Sequence, residues 1–201
     1  MITSRYQKSI KRQIKMMESS SFLKLLEEED ETMLENFERI KDINRLGYLT
    51  VESQAGLERE GTNEQTGKEY HISERAYIAG FMPESVASSF IRFMSIHTDK
   101  IVQYVPQVED TTYLPSELDV PLTISEDASE DKDGGETKVA THMSPALPKS
   151  VWNDWRKQCH ISKKERVVFV ECYDPKWNRH AMSCNGLFTD VFSVLNILVG
   201  V

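Results

Sequence analysis

Thr50, Ser53 and Gln54 follow one another closely in INRLGYLTVESQAG, residues 43–56. A hydroxyl both donates and accepts a hydrogen bond, and a side-chain amide does so through separate atoms. Three such groups where a strand ends can therefore form one wall of a pocket for a small polar ligand. The same residue types are also ordinary there, because Thr is β-branched and suits a strand while Ser and Gln suit a turn. From these residues alone both readings stay open.

Other chemistry has less to work with. No P-loop, G-x-G-x-x-G, H-E-x-x-H or G-x-S-x-G pattern occurs in the 201 residues. Cys159, His160, Cys172, His180 and Cys184 contain no C-x-x-C clip, so no metal is expected. The odd number of cysteines lacks a disulfide-framework spacing and suggests reduced thiols in a cytoplasmic protein. Carboxylates are plentiful, but no pair stands out as general acid and base, and the expectation is a non-enzyme. The N-terminus does not read as a secretory signal, and no apolar run is long enough to span a membrane.

The elements that would position residues 43–56 can be read from periodicity. Tyr6, Ile10, Ile14, Met17, Phe22, Leu25 and Leu26 recur at roughly helical spacing until the acidic run at 27–31. Thr32 and Glu35 form a T-x-x-E capping pattern, and the helix that follows, over about 33–46, ends at Gly47. Strands are expected near 48–52, 73–81, 100–105 and 166–172, with helices near 83–95 and 187–198. Gly80 reads as a bulge or a close contact, and Ser150 as the cap of a helix over 151–159. Residues 53–69 read as a polar loop. Residues 122–140 read as an acidic flexible loop, because SEDASEDKDGGE offers no large apolar side chain to offset the entropy of ordering. Two strands flanking a helix suggest a single mixed α/β (α+β) domain over 30–201, preceded by a basic helical arm at 1–29. Residues 1–26 are net +5 on a chain of net −8, so the arm suggests a protein partner rather than nucleic acid.

INRLGYLTVESQA also resembles the N-R-x-G-x-L-T-x-N-S-Q-P segment in the C-terminal regulatory domain of eukaryotic methylenetetrahydrofolate reductase. The matching residues are Asn44, Arg45, Gly47, Leu49, Thr50, Ser53 and Gln54. Glu31-Thr32 resembles a Glu-Thr pair that opens the preceding helix in that family, and Arg75, Ala76, Tyr77, Ile78 and Phe81 resemble part of its Q-K-A-Y-L-E-F-F strand. The resemblance implies a free-standing regulatory-type domain that binds S-adenosylmethionine and lacks the family's catalytic barrel. The residues it implies for the ligand are Glu31, Thr32, Thr50 and Ser53, with Thr123 and Thr141 as the nearest counterparts of two later threonines. Where the family has Asn and Pro around the Ser-Gln pair, this chain has Glu52 and Ala55, which changes the charge beside the pocket. Two classes of function follow: a non-catalytic module for S-adenosylmethionine or a related nucleoside, or an interaction protein that kept the fold and lost the ligand.

Overall fold

A helix that ends on a glycine and turns into a strand sets the first corner of the fold. The computed structural model describes residues 2–29, 31–62, 67, 69–110, 120–127, 138–143 and 146–200, with the backbone alone at 25–29, 31–33, 35, 126–127 and 138–143. Three helices come first: α1 (Ser4–Met17), α2 (Ser20–Glu29) and α3 (Glu31–Arg45). Gly47 follows α3 with φ +98°, a left-handed conformation that glycine adopts without penalty. The chain then leaves as β1 (Leu49–Ala55), β2 (Glu58–Thr62) and the long β3 (Glu69–Pro83), and α4 (Glu84–His97) leads to β4 (Ile101–Val105). After β5 (Gln107–Val108) come β6 (Val120–Asp127), β7 (Lys138–Met143), β8 (Leu147–Pro148) and α5 (Lys149–Gln158). β9 (Val167–Trp177) and α6 (Leu187–Val199) complete the order.

β3 organises a seven-stranded sheet along the path β4-β9-β3-β6-β7, and β1 and β2 pair with β3 as well. All of these pairings are antiparallel, so the fold is mixed α+β. Alternation along β3 separates two cores. Ile78 and Met82 join Ile40, Ile43, Phe90, Met94, Phe188 and Val191 under α3, α4 and α6. Tyr77, Ala79 and Phe81 join Tyr6, Ile10, Trp152 and Phe169 under α1 and α5. The basic N-terminal segment is thus helical and contributes to the core. The Tyr6 ring is fully buried, and its hydroxyl donates to the carbonyls of Phe81 (2.8 Å) and Gly47 (3.1 Å).

Gly80 makes the close contact that its sequence position suggests, since a Cβ there would lie 2.2 Å from the Leu49 carbonyl oxygen. A buried charge cluster fastens the edge at β4. Lys100, with no side-chain exposure, lies 3.3 Å from Asp174 and 3.2 Å from Asp190, contacts Asp99, and donates to the Asn185 carbonyl (2.6 Å).

Four sequence expectations need correction. Residues 58–62 are a strand, not part of a loop, paired with β3 from Glu58↔Ser73 to Thr62↔Glu69. Residues 122–127 and 138–140 belong to β6 and β7, not to a flexible loop; 128–137 fall outside the described residues. The long β3 supplies backbone partners to β2 and β6, and β6 in turn to β7, and ladder hydrogen bonds form whatever the polarity of the side chains. Ser150 lies within α5 after an N-cap at Pro148, and Asp110 Oδ1 accepts from its amide (2.8 Å) and its hydroxyl (2.9 Å). Thr32 lies in the first turn of α3, which already begins at Glu31.

Candidate functional site

The corner between α3 and β1 is locked by one side chain. Asn44 Nδ2 donates to the Ile40 carbonyl and to Thr50 Oγ1, both at 2.8 Å, while its Oδ1 accepts from the Thr50 amide at 3.0 Å. Asn44, Gly47 and Thr50 of the sequence motif therefore act together in building the turn. Arg45 pairs at the surface with Asp42 (2.7 Å) and Glu18 (3.3 Å).

Beyond Thr50 the register with β3 slips by one residue, so that Thr50 pairs with Gly80 and Glu52 with Ala79. This irregularity, a bulge at Val51, overrides strict alternation. It lets Thr50 and Ser53 line the same cavity, of about 280 Å³, together with Glu52. Helix α1 closes the outer edge of β1, where Gln13 Nε2 donates to the Thr50 carbonyl at 3.2 Å. The apolar wall comes from Met16, Met17, Phe22, Phe37 and Ile40 on the three N-terminal helices. The Phe22 and Phe37 rings stack at 6.0 Å with 29° between their planes.

The polar groups of the cavity differ in how free they are. The Thr50 hydroxyl accepts from Asn44 and keeps its own proton to donate. Ser53 Oγ has no protein partner among the described residues. Glu52 stands at the mouth, and its carboxylate accepts from the Tyr77 hydroxyl at 3.4 Å. Burial of this carboxyl by the surrounding protein raises its pKa, and the Tyr77 bond opposes the rise. Behind it, Tyr77 also donates to Glu171 at 3.4 Å, and Gln103 donates to Glu171 at 3.0 Å. Glu171 is deeply buried, and desolvation pushes its pKa up to about 7. Cys159 also lines the cavity; burial pushes its thiol up to about 12, away from the nucleophilic thiolate.

The other residues singled out from the sequence lie differently. Glu31 and Thr32 open α3, but their side chains fall outside those described. Thr123 Oγ1 donates to Gln54 Oε1 at 3.1 Å, on the part of the sheet where Gln54 Nε2 reaches the carbonyls of Arg75 (2.9 Å) and Leu122 (3.2 Å). Thr123 is therefore a partner of Gln54 and is not among the residues that line the cavity. Thr141 pairs in register with Thr123 across β6 and β7. The structure brings together Thr50 and Ser53 with Glu52, which the sequence placed beside the pocket, and adds Gln13 and the Phe22–Phe37 pair, which no sequence pattern marked as a site.

Among the described residues, no cluster of three or more His, Cys, Asp or Glu side chains is arranged to hold a metal ion. Nor, among them, is any helix long and apolar enough to cross a membrane. No protein-family model matches the chain, and neither does any curated protein.

Proposed function

We propose that the cavity beside β1 is a small-molecule site for S-adenosylmethionine or a related nucleoside, and that the domain is a non-catalytic binding module. The observation that carries this reading is the convergence of Thr50, Glu52 and Ser53 from one strand with the Phe22–Phe37 pair on a single cavity. An aromatic and thioether wall suits a planar base, and hydroxyls suit ribose or a carboxylate. Glu52 offers a negative charge where a sulfonium or ammonium group would relieve its desolvation. At about 280 Å³ the cavity falls just below the common range of ligand sites, about 300–1,000 Å³. A ligand of this size would leave one end at the mouth, next to Glu52. The likeness of residues 43–54 to the regulatory domain of methylenetetrahydrofolate reductase supports the same reading. The free thiols of Cys159, Cys172 and Cys184 fit a reducing, cytoplasmic setting.

Calorimetric titration of the protein with S-adenosylmethionine tests the proposal. Saturable binding is expected, and Ser53→Ala or Glu52→Gln should weaken it by roughly 1–3 kcal/mol through loss of a polar partner. Absence of binding at millimolar ligand would overturn it and leave the chain as an interaction protein.

A further inference from the structure

Helix α1 carries Arg5, Lys8, Lys11, Arg12 and Lys15 and no acidic residue. All five side chains are exposed, on the side opposite the buried Tyr6, Ile10, Gln13 and Met17. The arrangement runs against the rules of helix stability. Arg5/Lys8, Lys8/Lys11, Lys8/Arg12, Lys11/Lys15 and Arg12/Lys15 are like-charge pairs at i,i+3 or i,i+4 spacing, which repel. Arg5 and Lys8 also stand near the positive end of the helix dipole, where acidic side chains are favoured. Among the described residues only Arg5 meets a carboxylate, Glu165 at 3.6 Å. At its N-terminal end the basic face continues into an open groove of about 910 Å³, where Arg5 and Lys8 are joined by Lys164 and Arg166. The groove holds two acids, Glu84 and Glu165, and Glu165 is already engaged by Arg5 and by the Thr3 hydroxyl (2.8 Å).

We propose that this face and groove form a docking surface for an acidic segment of a partner protein. Charge complementarity argues for that occupant. The chain is −8 overall and α1 is +5, so the remainder of the protein is −13. The fourteen-residue helix is about 21 Å long, which suits a short acidic peptide. A duplex or a membrane would bring an extended anionic surface within about a Debye length, ~10 Å, of the acidic body and be repelled. Insertion into a membrane would also need an exposed apolar face, and that of α1 is turned into the core.

The test is fluorescence anisotropy with a labelled oligoglutamate peptide, and with oligodeoxythymidylate and phosphatidylserine vesicles as alternatives. Wild-type protein should bind the peptide with an affinity that falls as salt rises. The triple variant Lys8→Gln/Arg12→Gln/Lys15→Gln should bind it about tenfold or more weakly. A charge-conserving variant, Lys8→Arg/Arg12→Lys/Lys15→Arg, should bind like wild type, which separates charge from folding. The Gln variant should also melt no lower than wild type, because repulsion within α1 is relieved. Absence of peptide binding at low salt, equal binding by the Gln variant, or tighter binding of the oligonucleotide or the vesicles would overturn the proposal.

Discussion

Replacing Glu171 by Gln should stabilise the fold at pH 8 and leave it almost unchanged near pH 4.5. The carboxyl is 3% exposed, and burial raises its pKa from 4.5 to about 7; Glu52 adds to the rise, while the bonds from Gln103 and Tyr77 oppose it. In the unfolded chain the same group ionises at its ordinary value. Between these two values the folded protein holds a proton that the unfolded chain has released, so stability falls as pH rises from 4.5 to about 7. At about 1.4 kcal/mol per pH unit, that gap corresponds to roughly 3 kcal/mol, lost in full only above the folded value. Gln cannot ionise, and its amide oxygen still accepts from Gln103 or Tyr77. Urea unfolding of both proteins, followed by tryptophan fluorescence at several pH values from about 4.5 to about 8.5, reads the difference directly. The variant's advantage should grow with pH and level off above about pH 8. A pH-independent difference, or a variant less stable at high pH, would refute the account of Glu171 as a desolvated acid.

Other perturbations test the same structure. Asn44→Ala removes both bonds that Asn44 makes to Thr50 and should cost roughly 2–4 kcal/mol by chemical denaturation. Lys100→Met leaves the fully buried Asp174 with Arg179 as its remaining cation and should cost roughly 3–5 kcal/mol, read as a lowered Tm. In the native protein Ellman's reagent should label Cys184 readily and the buried Cys159 and Cys172 only after unfolding, so prompt labelling of all three would contradict their burial.

What the sequence disclosed and what it hid have the same cause. α3 and α6 bury one stripe, so their apolar residues recur with the helical period, while β3 and β9 are buried on both faces and read as short apolar runs bounded by polar residues. Gly47 marked the end of α3 because the corner there demands a left-handed residue. β2, with sequence EREGT, escaped detection because a strand at the margin of a sheet can be polar on both faces, and β6 because its alternating Val120, Leu122 and Ile124 run directly into an acidic stretch. Their partner is the backbone of β3, 7 to 15 residues from β2 and 49 to 57 from β6. The candidate site shows the same division. Thr50 and Ser53 were legible as a local cluster, but the bulge at Val51 that aims them at one cavity has no side-chain signature. Gln13, Phe22 and Phe37 line that cavity only because the N-terminal helices fold over β1, and Glu171 meets Tyr77 across ninety-four residues of chain. Thr123 had the right chemistry, but it bonds to Gln54.

The docking of α1 has a consequence for the order of events during synthesis. Its partners are Gly47, Phe81, the His160 carbonyl bound by Ser9, and Glu165. The helix is made well before its last contacts, those to His160 and Glu165. At about 5–20 residues per second, the 160 or so residues in between take roughly ten to thirty seconds to appear. Until α3, β1 and β3 have been made, the apolar stripe of Tyr6, Ile10 and Met17 has no native surface to cover it. The basic side chains on the opposite face keep the nascent segment strongly positive.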